Sequence, residues 1–149
     1  MSEEEVKAAI RHLKYNKSPG PDGIMSEILK ASNTAIVPFL VKYFNELFSF
    51  CLYPTEWTKT MIVPLHKKVD INNVDNYRGI SLLNVLSKSF TYNVNRRLTT
   101  WVESNNVISD AQAGFRTQYS TVDHIFALYA CVEKYMSCGG KFYVAYIDF

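Results

Sequence analysis

The stretch SPGPDG at positions 18–23 constrains the fold more than any other part of the sequence. Two prolines and two glycines in six residues can continue neither a helix nor a strand, so they predict a tight, fixed loop. A helix is predicted just before it, over about 3–16, where apolar residues recur at helical spacing and Ser2 with Glu5 forms a capping-box pattern. Within the loop, we expect Asp22 to hydrogen-bond nearby backbone or to cap the helix that follows.

The rest of the chain indicates further helices around one pair of strands. Apolar periodicity predicts four more helices, near 24–31, 34–52, 84–103 and 120–137. The segments 60–68 and 77–83 are rich in strand-forming residues and are separated by a polar loop, which predicts a β-hairpin. Residues 141–149 predict one more strand. The sequence shows no internal repeat or flexible linker, so one compact α/β or α+β unit is expected.

Charge is distributed unevenly along the chain. The net charge of +2 over 149 residues is too small to indicate a nucleic-acid-binding protein by itself. Residues 57–101, however, hold seven basic and two acidic side chains. This region is the candidate surface for a polyanion, although charge alone fits a solubilising exposed face equally well.

Composition disfavours several other classes of protein. The three cysteines and three histidines lack the paired spacing of a zinc site, and the odd number of cysteines fits a reducing compartment. The most apolar stretch, 36–53, contains Lys42 and Glu46, so it predicts a buried helix or a helix that covers a partner, and not a membrane span. No signal peptide is visible, and we expect an intracellular protein, nuclear or cytoplasmic.

Five motifs follow one another along the chain. They are KSPGPDGI (17–24), PTEW with IVPLHKK (54–57 and 62–68), NYRGISLLNVLSKSF (76–90), QAGFRTQYSTVDHI (112–125) and FYVAYIDF (142–149). In order and spacing they resemble the reverse transcriptases of non-LTR (LINE-type) retrotransposons. The resemblance runs from about Lys17 to the last residue. Each motif alone is weak, but five in order are specific.

This resemblance implies the α/β (α+β) fold of a right-hand polymerase fragment, with helix-rich fingers, a basic β-hairpin and a C-terminal palm strand. By this division, residues 1–56 are N-terminal helices, 57–138 are the fingers hairpin and helices, and 139–149 begin the palm. The implied activity is that of an RNA-directed DNA polymerase, a nucleotidyltransferase. Its implied partners are an RNA template, a DNA primer, deoxynucleoside triphosphates and Mg²⁺. No membrane partner is expected, and the sequence leaves the oligomeric state open.

The resemblance makes Asp148 a catalytic residue and a metal ligand. Nucleotide addition uses two Mg²⁺ ions, and carboxylates from more than one strand are needed to hold them. The sequence contains no Asp-Asp pair, and it ends inside the motif that holds Asp148. We therefore expect a truncated enzyme that is inactive alone, in which Asp148 binds Mg²⁺ weakly.

The same resemblance assigns Lys67 and Arg78 of the hairpin to nucleotide binding. Arginine offers a planar donor fork to a phosphate, and lysine offers a point charge. Lys68 fits as well as Lys67, because the sequence does not settle the register of the hairpin. Position 79 is glycine where the family usually has proline, which predicts a looser hairpin.

Nucleic-acid contacts are implied for the QAGFR motif and for basic residues of the hairpin and the following helix. The candidate residues are Lys68, Arg96, Arg97, Gln112, Gly114 and Arg116. For the two adjacent arginines, a solvated helix face is an equal alternative. Core packing is expected for six aromatic residues: Phe115, Trp57, Tyr43, Phe44, Phe48 and Phe50.

Two other functions are compatible with the sequence. The first is a non-catalytic RNA- or DNA-binding module that uses the basic region 57–101, and it requires binding that weakens with salt. The second is a helical interaction protein that uses the apolar stretch 36–53 as its partner surface. If this chain self-associates and a longer form of the protein is monomeric, truncation would explain the association better than this second function.

Overall fold

The computed structural model describes residues 1–67 and 70–147. Its helices are α1 (Glu3–His12), α2 (Ser26–Ala31), α3 (Asn33–Ser49), α4 (Thr55–Thr58), α5 (Val85–Ser104) and α6 (Thr121–Ser137). Strands β1 (Met61–His66) and β2 (Tyr77–Leu82) form one antiparallel sheet, and a 3₁₀ turn covers Val74–Asn76. This mixture of helices with a small antiparallel sheet is compatible with the predicted α+β class.

The chain forms two compact units. The first is Met1–Trp101 and the second is Val102–Phe149. The first unit contains the loop 18–23 and the hairpin, and the second contains the QAGFR motif and α6.

Helix α1 begins at the predicted residue and ends before the predicted end near residue 16. The Glu5 N–H donates to the Ser2 hydroxyl at 3.3 Å, and the Ser2 N–H donates to the Glu5 carboxylate at 2.6 Å, which completes the capping box. The helix ends at His12. Beyond it, Asn16 adopts a left-handed backbone with φ 55°, and its N–H donates to the Glu27 carboxylate at 2.6 Å.

The loop 18–23 is held by its own backbone and by Asp22. The Ile24 N–H donates to the Asp22 carboxylate at 3.1 Å, as expected from the sequence. The Gly23 N–H donates to the Gly20 carbonyl at 3.0 Å, and Gly23 has φ 70°, a left-handed value that favours glycine. The loop is therefore the fixed turn that its composition predicts.

The core of the first unit contains a cluster of aromatic rings from α3, α4 and α5. Phe44 of α3 is fully buried, and its ring centroid lies 5.4 Å from that of Phe90 and 6.3 Å from that of Trp57. Trp57 and Phe90 are 5.8 Å apart. These distances lie in the range in which aromatic rings attract one another. Trp57 is 6% exposed, so its predicted role as a core anchor is confirmed.

Helix α3 is buried along one face and exposed along the other. Its buried residues are Val37, Leu40, Phe44 and Leu47. Phe48 and Phe50 are half or more exposed, so the prediction that they pack in the core is wrong. Phe48 follows Phe44 by one helical turn at the edge of the buried face, with the Arg97 guanidinium carbon 6.0 Å from its ring centroid, and Phe50 lies just beyond the end of the helix. No helix in the described part of the chain is long and apolar enough to cross a membrane.

The predicted hairpin is present. Strands β1 and β2 pair antiparallel along their full length. The Lys67 N–H donates to the Asn76 carbonyl at 2.8 Å, which extends the pairing by one residue. Every residue of β1 is exposed, and every residue of β2 is exposed or half-buried, so the rest of the unit covers neither face of the hairpin.

In the second unit, α6 matches its prediction but the strand after it does not. The Ser120 hydroxyl accepts from the Val122 N–H at 3.1 Å, and Gly139 ends the helix with a left-handed φ of 71°. None of the residues of α6 is buried. Residues 141–147 form no strand, so the predicted C-terminal strand is wrong for that segment. A strand needs hydrogen bonds to a neighbour, and the described residues offer this segment none.

The geometry of the hairpin makes position 79 tolerant of proline. The Lys67–Asn76 bond defines a hydrogen-bonded pair, so Pro64 and Gly79 oppose each other in a non-hydrogen-bonded pair, in which the Gly79 N–H faces outward. A Cβ at position 79 would lie 3.1 Å from Cγ2 of Ile62, which is exposed and has room to shift. We therefore expect Gly79→Pro to keep the hairpin and raise the free energy of unfolding by about 0.4–1 kcal/mol, since proline restricts the unfolded chain. Urea unfolding measures this change.

Ile80→Pro is the matched control. Ile80 lies opposite Val63 in a hydrogen-bonded pair, so proline there removes a ladder bond and should destabilise the protein. Equal destabilisation by the two substitutions would show that this assignment of the pairs is wrong.

Candidate nucleotide and nucleic-acid interface

Lys67 and Arg78 lie on the same face of the hairpin. Directly opposed residues of an antiparallel pair point to the same side, and alternate residues of one strand share a face. Arg78 is opposite Leu65, and Lys67 comes two residues after Leu65. The two cations are therefore diagonal neighbours, a relation that places residues about 7–8 Å apart. Both side chains can reach a single phosphorylated ligand.

Both of these cations are exposed. Within residues 1–67 and 70–147, no carboxylate forms an ion pair with Lys67 or Arg78. Asp70, in the hairpin loop, accepts hydrogen bonds from the N–H and the side-chain amide of Asn72 at 2.9 and 3.1 Å. Lys68 lies outside the described residues.

The opposite face of the hairpin carries an aromatic pair. The ring centroids of His66 and Tyr77 lie 5.3 Å apart. The Tyr77 hydroxyl donates to the Ile71 carbonyl at 2.9 Å, which ties the connecting loop to the start of β2. The two faces of the hairpin thus differ in chemistry. One carries two cations near the loop, and the other carries two aromatic rings, of which Tyr77 contacts the loop.

A second basic surface lies between α1 and α5. The side chains of Lys14, Lys17 and Lys88 line a groove of about 560 Å³. The rings of His12 and Tyr92, also in its lining, stack with centroids 4.4 Å apart. None of the described lining residues is acidic, and the three lysines form no ion pair with a described residue. We call this surface the lysine groove.

Sequence reasoning did not predict the lysine groove, although part of it has a sequence signal. Lys88, Tyr92 and Arg96 recur every four residues and so share one face of α5. Lys14 and Lys17 reach the same place only because the chain folds back after α1. No spacing in the sequence links them to α5.

The two adjacent arginines of α5 have different surroundings. Nε and Nη2 of Arg97 donate to the two carboxylate oxygens of Glu5 at 2.7 and 2.9 Å, which joins α5 to α1. Arg96 forms no ion pair within the described residues, and its guanidinium carbon lies 6.0 Å from the ring centroid of Tyr92. Arg96 is therefore available to a phosphate beside the lysine groove, whereas Arg97 is engaged with Glu5.

Arg116 is packed inside the second unit. Its side chain is 6% exposed, and its guanidinium donates to both carboxylate oxygens of Glu103, at 3.1 and 2.8 Å. It also donates to the Ser109 carbonyl at 2.9 Å and lies 3.8 Å from the ring centroid of Tyr119. The hydrogen bonds from Arg116 lower the pKa of Glu103. These contacts organise the loop between α5 and α6 around one guanidinium.

Phe115 points away from this network. Its side chain is fully exposed, and its backbone is left-handed with φ 62°. The prediction that Phe115 packs in the core is therefore wrong, because the next residue, Arg116, takes the interior of the loop. Gln112 donates to the Gly114 carbonyl at 3.5 Å, and a Cβ on Gly114 would meet nothing closer than that amide. Gly114 thus leaves open space in front of the backbone, as a ligand contact there requires.

The predicted metal ligand Asp148 lies outside the described residues. Within residues 1–67 and 70–147, no three His, Cys, Asp or Glu side chains lie close enough together to hold a metal ion. A carboxylate such as Asp148 is a suitable Mg²⁺ ligand, but one carboxylate does not complete a two-ion site.

Known proteins similar to this chain agree with its motifs. No family model matches the chain. It is 32% identical, over 84% of its length, to a probable RNA-directed DNA polymerase from transposon BS of Drosophila melanogaster. It is 31% identical over 91% of its length to the RNA-directed DNA polymerase from mobile element jockey of the same species. It is also 31% identical over 95% of its length to the Pol polyprotein of retrotransposable element R1 of Bradysia coprophila.

Relatives and motifs agree that the chain is similar to a segment of the RNA-directed DNA polymerases, or reverse transcriptases, of non-LTR retrotransposons. The chain spans 14%, 16% and 14% of the lengths of the three relatives, respectively. It therefore corresponds to a small part of those proteins.

The Glu5–Arg97 ion pair predicts acid sensitivity. Hydrogen bonds from Arg97, and next the one from the Ser2 N–H, lower the pKa of Glu5 from 4.5 to about 2. A carboxyl with a depressed pKa stabilises the folded state above its unfolded pKa, and this contribution is lost as the pH falls through the folded pKa. We expect the free energy of unfolding to fall between pH 4.5 and 2 by a component that Glu5→Gln removes. Chemical unfolding across this pH range measures it.

Arg97→Gln tests the same ion pair from the other side. Without its cation, Glu5 should titrate closer to its ordinary value, and the same component should shrink. If both variants keep the whole wild-type fall over this range, another group is responsible for it.

Proposed function

We propose that this chain forms the nucleotide- and nucleic-acid-contacting fingers part of an RNA-directed DNA polymerase. One observation carries the proposal: Lys67 and Arg78 share a face of an exposed hairpin. Neither has a carboxylate partner within the described residues. The similarity to RNA-directed DNA polymerases from transposon BS and jockey supports it.

A deoxynucleoside triphosphate suits this face. Its phosphates are multiply charged, and a guanidinium and an ammonium on one surface can bind two of them together. Arg78 supplies a planar fork of donors, and Lys67 supplies a compact positive charge. During nucleotide addition the leaving pyrophosphate gains negative charge, and cations fixed nearby stabilise that change.

The proposed reaction also needs carboxylates. Mg²⁺, when bound, neutralises charge at the transferred phosphate. Asp148 is the proposed catalytic ligand from this chain, and further carboxylates are required to complete the site. We therefore propose that the chain does not polymerise alone and that other segments of the polymerase supply the missing acids.

The proposed nucleic-acid partners are an RNA template and a DNA primer. Arg96, Gln112 and Gly114 are proposed to contact them, since an unpaired cation, an exposed amide and an open backbone are suitable contacts for phosphate and sugar. Arg97 and Arg116 are proposed to act indirectly, by holding α1 against α5 and by fixing the QAGFR loop, respectively.

The hairpin assignment predicts a selective loss of nucleotide affinity. A suitable enzyme is the jockey polymerase with its matching segment replaced by this chain. In it, Lys67→Ala or Arg78→Ala should raise the KM for deoxynucleotides by about tenfold to a hundredfold, because each removes a charged hydrogen bond. Template affinity should stay nearly unchanged. Primer extension and template-binding assays measure the two quantities.

Lys59→Ala is the matched control. Lys59 is an exposed lysine at the base of the hairpin, just before β1, so the change in net charge is the same. It should leave the KM for deoxynucleotides unchanged. Extension kinetics that are equal for all three variants and the parent would reject the assignment.

A second candidate function is a non-catalytic module that binds RNA or DNA. The lysine groove favours it, because Lys14, Lys17 and Lys88 converge without a described acidic neighbour. Lys88 belongs to the predicted basic region, whereas the other two lysines lie outside it. This candidate needs no carboxylate and no nucleotide.

Salt dependence tests the module. The affinity of the chain for a single-stranded oligonucleotide should fall linearly with salt on logarithmic axes. Lys14→Ala or Lys88→Ala should reduce that slope by about one. Lys42→Ala, on α3 and outside the groove, is the control and should change the slope less. Binding that is indifferent to salt would exclude this function.

A further inference from the structure

We propose that Asn84 is a positioning residue that sets the direction in which the hairpin carries Lys67 and Arg78. The nucleotide role of those two cations rests on the function proposed above. The positioning itself does not, because it concerns only how the hairpin is attached to the first unit. Asn84 is 3% exposed and lies between the end of β2 and the start of α5.

The hairpin has little support along its sides. All residues of β1 are exposed, and β2 is at most half-buried at its two ends. A hairpin without packing along its sides can change its orientation unless its base is fixed. We call this exposed hairpin the arm. The direction of the Lys67–Arg78 face therefore depends on the contacts where β1 begins and where β2 ends.

The side chain of Asn84 joins these two points. Its Nδ2 donates to the Glu56 carbonyl at 3.1 Å. Glu56 lies in α4, which leads into β1, and Asn84 follows β2 by two residues. The Asn84 carbonyl also accepts from the Lys88 N–H at 3.0 Å, which fixes the residue to the first turn of α5. One buried amide thus links the start of the hairpin, its end and the body of the unit.

The loop 18–23 also contacts Asn84, through Asp22 and Gly20. The Asp22 N–H donates to Oδ1 of Asn84 at 3.4 Å. Gly20 packs so closely that a Cβ there would lie 2.6 Å from the Asn84 nitrogen, from its Oδ1 and from the Leu83 carbonyl carbon. Two segments far apart in the sequence, SPGPDG and the end of β2, therefore meet at Asn84. This contact gives the glycine at position 20 a structural reason.

The Asn84 amide meets two demands at once. The Glu56 carbonyl needs a donor, and the Asp22 N–H needs an acceptor. Asn84→Asp keeps the shape and the acceptor and suits the start of a helix, but it removes the donor. Gly20→Ala leaves Asn84 intact and displaces it sterically. The two variants disturb the same contact by independent means.

Spin labels can measure the direction of the hairpin in the full chain. Val74, in the hairpin loop, and Phe39, on the exposed side of α3, become cysteines, and the exposed Cys51, Cys131 and Cys138 become serines. Pulsed electron spin resonance then gives the distribution of distances between the two labels. We expect Asn84→Asp and Gly20→Ala each to broaden or shift this distribution while the circular dichroism spectrum remains that of a folded protein.

Matched controls separate the contact from the chemistry of the substitution. Asn95→Asp makes the same change at an exposed position of α5, and Gly114→Ala adds a methyl group where nothing lies closer than 3.5 Å. Neither should alter the distribution. An unchanged distribution in both test variants would overturn the proposal. Loss of the folded state in both would also overturn it, because Asn84 would then serve core stability.

Triphosphate binding distinguishes this inference from the proposed function. If the chain binds a deoxynucleoside triphosphate, Asn84→Asp should weaken that binding about tenfold, since small misplacements of binding groups are costly. If the wild-type chain binds no triphosphate, the nucleotide role of the hairpin fails. The distance measurement still decides whether Asn84 positions the arm.

Discussion

The packing of Trp57 against Phe44 and Phe90 is the interaction on which the first unit depends. Trp57 comes just before the hairpin, Phe90 comes shortly after it, and Phe44 lies on the long helix behind them. The three rings lie 5.4 to 6.3 Å from one another. Both ends of an exposed arm are thereby anchored in one rigid cluster. Asn84 then adds a directional contact to this apolar anchor, so burial holds the base of the arm and hydrogen bonds fix its angle.

Local patterns predicted much of the fold. The capping box at Ser2 and Glu5, the turn at Asp22 and the paired strands depend on residues close in sequence, and each is present. Predictions about burial were less successful. Phe115, Phe48 and Phe50 are apolar, but the structure exposes them, because burial depends on which element covers a residue. The strand predicted for residues 141–149 failed over 141–147 for the same kind of reason, since a strand exists only with a partner.

The candidate site likewise contains some features that the sequence predicted and others that only the folded chain shows. The resemblance assigned Lys67 and Arg78 to nucleotide binding, and the structure places these two residues on one face of the hairpin, whereas Lys68 lies outside the described residues. Charge alone could not show that Arg97 meets Glu5, which lies 92 residues earlier, or that Arg116 is enclosed by Glu103. Asn84 carries no charge, and although it lies within the motif at 76–90, the sequence assigned it no role. Its importance comes from three segments that meet only in the folded chain.

The outward-facing pair formed by Pro64 and Gly79 has a consequence for solubility. An exposed two-stranded hairpin has two open edges, and each can pair with a strand of another molecule. Pro64 lacks an N–H and so interrupts the edge of β1. The edge of β2 has glycine at the corresponding position and therefore keeps its N–H donor there. Pro64 therefore hinders edge-to-edge pairing between copies of this chain through β1, whereas the edge of β2 has no such obstacle.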